Sequence, residues 1–388
     1  MLLILITLVL VLGVAFFQAT QGMFSAIIMT VLTIFCTVLA FNYYEPLAQS
    51  FLYERMPEYA DAVALISIFV LSLLALRLAF DKFLGRNLLT SMWVDRIGGG
   101  LLGLVTSLLV VGVFTIALQM LPWGQSILGW VAFDDTLKRS SGLFPYPDEF
   151  TIGLVETLSG GKPDGSATGS LAPEPAKPFS HAHDDLLLEL WCARNTSRGA
   201  PTQENPQGEY LCGSTAAMPS ALKEVWAYLP PDGAGGLKLD VEVPDNPLVN
   251  KPRSETRVFV IRAKIDEKGG AQEVDGCYRL IGSHFRLVSK NGKSYYPVGY
   301  LTHADARPNA AGDVGWKLIA PVDNGVALPG KLAIFRPIDK IPRPTVDWVY
   351  RIPLDETPSY MVFRKVARSP VPAAKPEMPD IKDALGRK

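Results

Sequence analysis

An acid–base pair and a set of glycines lie close together at one point in the chain. Asp95-Arg96 comes directly before the glycines at 98–100, and Gly103 follows. Two chemistries use such residues. Ionisable groups in or near a membrane often relay protons, and the spacing Gly98-x-Gly100-x-x-Gly103 matches the fingerprint that holds a dinucleotide pyrophosphate. The elements around the motif decide between these uses.

The surrounding sequence argues against a nucleotide site. The fingerprint needs a β-strand before its glycines and an acidic residue about twenty positions later. Here an apolar run, residues 98–121, contains the glycines, and the next acid is Asp134. Gly99 and Gly103, four positions apart, instead fit a groove that lets another helix approach closely. Asp95-Arg96 fits a charge pair that anchors one end of this run, with a proton relay as the alternative.

Four apolar runs predict four membrane-spanning helices, because about twenty apolar residues cross the ~30 Å hydrocarbon core. The first apolar block, residues 1–41, is too long for one crossing and is expected to turn at the polar segment that ends in Gly22. A cleaved signal peptide is the alternative for the first run, but no Lys or Arg precedes Arg55. The predicted spans are residues 1–17, 23–41, 62–80 and 98–121.

Basic residues are distributed unevenly between the connections. Lys82, Arg86 and Arg96 lie between the third and fourth runs, whereas Arg55 alone lies between the second and third. Arg77 lies in the last turn of the third run, where its side chain is expected to extend toward the membrane surface. Cytoplasmic loops of membrane proteins carry the excess of Lys and Arg. The pattern predicts a multi-pass protein of the bacterial cytoplasmic (inner) membrane, with residues 81–97 inside and the C-terminal part outside the cytoplasm.

The segments after the spans change in character. Residues 122–159 predict short amphipathic helices, at 127–133 and 150–158, that pack on the bundle or lie on the membrane surface. Residues 160–180 read as a linker rich in Gly, Ser, Ala and Pro. Residues 181–253 are largely irregular, with short helices expected at 184–191 and 221–228, and the tail 368–388 is expected to be disordered.

A β pattern fills residues 254–367. Short β-branched or aromatic runs alternate with turn signals such as Asn291-Gly292 and Asn324-Gly325. Short strands with no long helix between them indicate an antiparallel sandwich. The predicted strands are residues 257–265, 278–288, 294–301, 316–320, 331–335, 346–352 and 360–366.

The soluble part contains few groups that carry chemistry. Cys192 and Cys212 flank a polar loop and form a candidate disulfide if this region is outside the cytoplasm. The sequence has no Gly-x-Ser-x-Gly nucleophile motif, and a net charge of -1 offers no basic footprint for nucleic acid. No metal site and no cofactor are expected. The histidines interpreted as solvated or as ordinary strand residues are His181, His183, His284 and His303.

The membrane region resembles the colicin V production (CvpA) family of bacterial inner-membrane proteins. The resemblance covers roughly residues 1–125 and is carried by the four spans and by family-motif positions that also serve helix packing: Gly22, Asp95, Arg96, Gly99 and Gly103. The family usually has Arg-Gly at the first hairpin, where this chain has Gln21-Gly22. The resemblance implies a role in toxin production or export and in envelope physiology. In some relatives a similar unit carries an extracytoplasmic serine protease.

The β region resembles the small immunoglobulin-like domains of bacterial envelope proteins. Residues 285–296 resemble their hairpin, in which a strand, Asn-Gly-Lys and a Tyr-bearing strand follow one another, and residues 346–353 and 360–364 resemble their closing strands. Such domains usually bind or scaffold.

These observations predict a multi-domain protein, in which a four-helix transmembrane bundle precedes an all-β immunoglobulin-like sandwich. The leading hypothesis is a non-enzymatic membrane protein that displays the sandwich to an unknown extracytoplasmic protein or ligand. Its other expected partners are the lipid bilayer and a second copy bound through span four, with no nucleic acid. The alternatives are a membrane-tethered hydrolase and a small oligomeric transporter component.

Overall fold

The computed structural model describes residues 2–53, 55–56, 59–83, 92–158, 186–194, 222–228, 242–265, 272–274, 277–303, 316–337, 345–365 and 367–373. Predictions for the linker 160–180, for His181, His183 and Cys212, and for the tail beyond residue 373 lie outside the described residues. Two compact units divide the chain. The first, here the membrane unit, comprises Met1–Ala132 and Ser140–Leu190, and the second, here the β unit, comprises Phe133–Arg139 and Trp191–Lys388.

Four long helices confirm the four predicted spans. They are α1 (Leu2–Gln21), α2 (Met23–Leu47), α3 (Ala60–Phe83) and α4 (Met92–Met120). Each is long and apolar enough to cross a membrane. The helices extend beyond the predicted spans, and α4 begins six residues before Gly98, so the glycines lie inside the helix. Segments that were interpreted as connections because they are polar can still be helical, since a helix satisfies its own backbone groups on both sides of the membrane boundary.

Hydroxyl groups inside this bundle bond mainly to the helix that carries them. The Thr37 hydroxyl donates to the Thr33 carbonyl at 2.7 Å, and the Thr30 hydroxyl donates to the Ala26 carbonyl at 2.7 Å. The Thr30 and Thr106 hydroxyls also lie 2.9 Å apart and join α2 to α4. Such bonds allow polar side chains in an apolar bundle, because no water is present to satisfy them.

The segment after α4 differs from the prediction in one place. Residues 150–158, expected as a helix, lie in α5 (Pro147–Leu158), and residues 184–191 lie mostly in α6 (Leu186–Ala193). Residues 127–133, also expected as a helix, instead contain a tight turn closed by two backbone hydrogen bonds between Ile127 and Trp130. Gly129 at positive φ lies in this turn and supplies the reason, since glycine is unfavourable inside a helix.

Antiparallel strands form the β unit, as predicted. The strands are β1 (Leu222–Tyr228), β2 (Thr256–Ile265), β3 (Gln272–Val274), β4 (Cys277–Ile281), β5 (Phe285–Ser289), β6 (Ser294–Tyr295), β7 (Gly299–His303), β8 (Trp316–Ile319), β9 (Val322–Asp323), β10 (Val326–Ala327), β11 (Ala333–Pro337), β12 (Thr345–Pro353), β13 (Pro358–Phe363) and β14 (Ala367–Pro370). The five-stranded sheet has the order β1-β2-β12-β7-β8, the four-stranded sheet β14-β13-β5-β6 and the three-stranded sheet β11-β4-β3, with β9 and β10 as a separate hairpin.

The two faces of the five-stranded sheet have different cores. Alternate residues of β2, including Phe259 and Ile261, join a large core with Trp348, Phe285 and Phe363. This core unites the five-stranded sheet with the other two larger sheets. The opposite face of β2 carries Val258, Val260 and Arg262, as the alternation predicted, and its valines belong to a smaller core. Immunoglobulin-like strand order stays a prediction.

A bidentate ion pair lies on the face with the smaller core. Arg262 Nε and Nη2 donate to the two carboxylate oxygens of Asp347, both at 2.7 Å. The residues face each other across β2 and β12, and both side chains are 1 % exposed. The fork of a guanidinium matches a carboxylate, so a charged pair is compatible with burial here.

Four predictions about the β region need correction. Residues 221–228, expected as a helix, form β1 along β2, because Val225 and Ala227 alternate into the large core. The predicted strand 278–288 is interrupted by a 3-10 turn at Gly282–His284. The predicted strand 294–301 divides into β6 and β7, which belong to different sheets.

The predicted disordered tail, residues 368–388, contributes Arg368–Pro370 to β14, which pairs with β13. Pairing with neighbouring strands decides these cases, and local composition carries little of that information.

Candidate functional site at the α1–α2 joint

Gly22 separates α1 from α2 and has a backbone conformation that favours glycine. Its φ is 91° and its ψ is 161°. A Cβ added at this position would lie 2.5 Å from Asp95 Oδ2 and 2.9 Å from Asp95 Oδ1. Both the dihedral angles and the close approach of the carboxylate therefore exclude larger residues at Gly22.

Asp95 connects α4 to the beginning of α2. Its Oδ1 accepts a hydrogen bond from the Met23 backbone N–H at 2.7 Å. The first N–H groups of a helix have no partner within the helix, and Gly22 has no side chain that could cap them. The carboxylate supplies the missing acceptor and places a negative charge at the positive end of the helix dipole. Asp95 is thus an N-cap contributed by another helix.

Gly99 and Gly103 let α1 pack against the backbone of α4. A Cβ at Gly103 would lie 2.6 Å from Gln18 Cβ and 2.9 Å from the Ala15 carbonyl oxygen. A Cβ at Gly99 would lie 3.1 Å from the Gln18 carbonyl oxygen. We call this pair of glycines the α4 groove. It has the small-xxx-small spacing expected of close helix packing, and Asp95 lies one turn before it.

The α4 groove is filled by α1 of the same chain. The sequence analysis left open a second copy bound through span four, which carries these glycines. Because Ala15 and Gln18 occupy the groove, a homo-oligomer would have to use another surface. Gly100, which lies on the same helix, differs from the groove glycines, since a Cβ there would meet Ala19 Cβ at an ordinary 3.6 Å.

Asp95 and Arg96 do not act as a pair in the part of the chain that the structure describes. Asp95 is half-buried and bonded to Met23, whereas Arg96 is exposed. Consecutive residues of a helix point in different directions. The anchoring interpretation therefore needs revision, because the carboxylate holds the beginning of α2 and only the guanidinium lies at the surface.

A second guanidinium reaches the joint from α3. Arg77 Nη2 donates to the Ser25 hydroxyl at 3.3 Å, and the Ser25 hydroxyl donates to Gln21 Oε1 at 3.2 Å. Arg77 also forms an ion pair with Asp81 at 3.1 Å. Sequence reasoning expected Arg77 only to extend toward the membrane surface. Its position within the last turns of a span was the available signal, but its Ser25 partner lies 52 residues away.

Gln18 places an amide inside the bundle beside the α4 groove. The residue is 4 % exposed, and its Oε1 has no hydrogen-bond partner among the described residues. Glutamine in a span usually bonds across helices. The joint therefore consists of a capped helix, a backbone-to-backbone contact and an unsatisfied amide oxygen. This arrangement can fix the angle between α1, α2 and α4.

The soluble part contains the other residues that the sequence analysis considered. His284 accepts a hydrogen bond from Arg364 Nε at its Nδ1, at 3.2 Å, and lies against the Phe363 ring. The side chain of His303 lies outside the described residues. Cys192 is buried, and its candidate disulfide partner Cys212 lies outside the described part, so this bond stays a prediction. The fingerprint glycines lie within α4, without the strand-to-helix turn of a dinucleotide site.

Comparison with known families assigns this region. Residues 3–151 match the family described as Colicin V production protein. This part of the chain is a Colicin V production domain. No curated protein and no solved structure matches the chain. The match extends beyond the resemblance noted from the sequence, since it includes the beginning of α5. In this CvpA-family domain the positions that carried the resemblance, apart from Arg96, meet at the α1–α2 joint.

Proposed function

We propose that this protein is a non-enzymatic protein of the bacterial inner membrane that serves toxin production or export. In this proposal it holds its β unit outside the cytoplasm as a binding or sensing module. The observation that carries the proposal is the CvpA-family domain, built from four apolar helices. The family description supplies the process, and the joint at Gly22 and Asp95 supplies a rigid base for the helices.

The distribution of charge supports the orientation. Arg77, Lys82 and Arg96 belong to α3 and α4 at the end of the bundle that contains the joint. Positive charge favours the cytoplasmic side. Because α4 runs away from that side, the chain leaves the membrane on the extracytoplasmic side. After α4, the described residues contain no further helix that is long and apolar enough to cross a membrane.

The chemistry of the described side chains supports a binding or scaffolding role. Asp95, the acid of the family motif, is bonded to a backbone N–H and therefore acts in helix capping. His284, a candidate base for the hydrolase alternative, has its Nδ1 bonded to Arg364. Because Nδ1 already accepts a hydrogen bond from this guanidinium, that nitrogen is not available to take a proton from a nucleophile.

A fused reporter that is active only outside the cytoplasm tests the orientation. Fused after Lys162, between the membrane unit and the rest of the chain, it should be active in intact cells. The matched control places the same reporter after Arg86, between α3 and α4, where it should be inactive. The reverse pattern would refute the proposed localisation. Adducts of serine- or cysteine-directed probes at one residue of the purified protein would favour the hydrolase instead.

A further inference from the structure

The chain between α4 and α5 exposes large apolar side chains. Within the membrane unit, residues 121–132 and 140–147 contain no charged residue. The charged residues of this stretch, at positions 134, 135, 138 and 139, all belong to the β unit. Large exposed apolar patches mark contacts with lipid or protein. The exposed large apolar side chains are Trp123, Leu128, Val131, Phe144 and Tyr146, and Phe150 follows in the first turn of α5.

Leu128 lies at the tip of a tight hairpin in an unfavourable conformation. It has φ 50°, and Gly129 after it has φ 78°. Ile127 and Trp130 close the turn with backbone hydrogen bonds of 3.0 and 2.9 Å. Two-residue turns with positive φ favour Asn, Asp and Gly. In water, an exposed leucine at such a tip would combine an unfavourable backbone conformation with an unfavourable exposure of apolar area. Its presence here therefore indicates a contact with an apolar medium.

Both ends of this stretch lie beside the end of α4. Trp123 follows the last residue of α4, Met120, by three positions. At the other end, Gln119 Nε2 donates to Asp148 Oδ2 at 3.2 Å, which holds the first turn of α5 next to the last turn of α4.

α5 packs closely along α4 and runs in the opposite direction. A Cβ at Gly112 would overlap the Thr151 hydroxyl and the Pro147 carbonyl oxygen. The Thr151 hydroxyl donates to the Leu108 carbonyl at 3.4 Å. Leu108 lies twelve residues before Met120, about 18 Å along the helix, and inside the apolar part of α4. The first turn of α5 therefore lies beside the C-terminal part of α4, between Leu108 and Met120, and the stretch before α5 is held near the end of the bundle where α4 ends.

We propose that residues 121–132 and 140–150 form a lipid-binding surface on the leaflet at which α4 ends. Trp123, Leu128, Phe144 and Tyr146 insert at the boundary between headgroups and acyl chains. Three observations select lipid as the occupant: the surface directly follows the last membrane-spanning helix in the chain, it carries no charge before α5, and Trp and Tyr prefer this boundary. The surface lies in one leaflet and adds to the four spans.

A spin label at position 128 tests the surface in the complete protein. Leu128→Cys is labelled in a chain whose native cysteines are replaced by alanine, reconstituted in phosphatidylethanolamine–phosphatidylglycerol liposomes. Leu354→Cys is the matched control, because Leu354 is 53 % exposed and Leu128 is 52 % exposed. Power-saturation EPR should show that oxygen relaxes the label at 128 more strongly than a water-soluble nickel complex does. The label at 354 should show the opposite preference.

Two results would overturn the proposal. If the labels at 128 and 354 have the same preference for the nickel complex, the hairpin tip lies in water. If the label at 128 is shielded from both relaxants, a protein or a second copy covers the tip. Phe144→Cys gives an independent measurement if Leu128→Cys disturbs the hairpin, and the same two results at that position count against the surface.

Discussion

The membrane unit and the β unit pack their secondary-structure elements together with opposite types of residue. In the membrane unit, α1 and α4 come into backbone contact because Gly99 and Gly103 have no side chains. In the β unit, sheets meet through large side chains, and Phe285 lies 4.7 Å from both Trp348 and Phe363 between ring centroids.

The surrounding solvent explains this difference. In water, burying large apolar side chains stabilises the fold because it removes apolar area from the solvent. In lipid, that gain is absent, so close van der Waals contact and satisfied backbone groups stabilise helix association. Polar groups follow the same division. Asp95 bonds to a backbone N–H in the membrane unit, whereas Asp347 bonds to a guanidinium in the β unit.

The largest loss of stability is expected when the buried ion pair of Arg262 and Asp347 is broken. Asp347→Ala leaves the Arg262 guanidinium buried without its carboxylate and should lower the free energy of unfolding by about 3–5 kcal/mol. The double variant Arg262→Met, Asp347→Leu should lose much less, because it leaves no buried charge. Urea unfolding of the full chain in detergent, followed by near-UV circular dichroism, measures both.

The exposed pair of Lys251 and Asp355 is the control for this comparison. Lys251 Nζ donates to Asp355 at 2.8 Å, and this hydrogen bond lowers the pKa of Asp355. Any contribution to stability is therefore present at neutral pH and is lost as the pH falls through the lowered pKa. Lys251→Ala should leave the unfolding curve unchanged, since exposed pairs contribute little. An equally small effect of Asp347→Ala would refute the role of the buried pair.

The second largest loss of stability is expected when the α4 groove is filled. Gly103→Ala pushes a methyl group against Ala15 and Gln18 and should cost about 1–3 kcal/mol, because the helices must separate. Gly13→Ala is the matched control in α1, where a Cβ meets no atom within 4 Å. It should be neutral or gain up to about 1 kcal/mol from helix propensity. Helix loss with increasing SDS fraction in mixed micelles measures both, and equal behaviour would contradict the groove.

The smallest effect is expected at the cap. Asp95→Ala removes the acceptor for the Met23 N–H and should cost about 1 kcal/mol in the same SDS titration. Asp95→Asn keeps an oxygen acceptor without the charge and should lose less. A proton relay would predict a different pattern in toxin secretion, with Asn and Ala equally defective. That pattern, together with unchanged stability, would show that Asp95 relays protons and does not act mainly as a helix cap.

Much of the fold could be predicted because it depends on local patterns. The four spans follow from the length of the apolar runs, and the break at Gly22 follows from a block too long for one crossing. The alternation in β2 correctly separated Val258, Val260 and Arg262 from the residues of the large core. The strand expected as a helix, β1, shows where such patterns fail. Its seven residues are short enough for either structure, and pairing with β2 decides between them.

The sequence by itself determined which residues of the joint were worth attention, and the tertiary structure decided what they do. Glycine spacing predicted a packing groove but did not identify α1 as the helix that fills it. The composition of Asp95-Arg96 predicted a charge pair. In the structure, the Asp95 carboxylate instead accepts a hydrogen bond from the backbone N–H of Met23, 72 residues earlier in the chain. The physical reason is distance along the chain. Periodicity describes neighbours within a helix or strand, but a helix cap from another element exists only after the helices have packed.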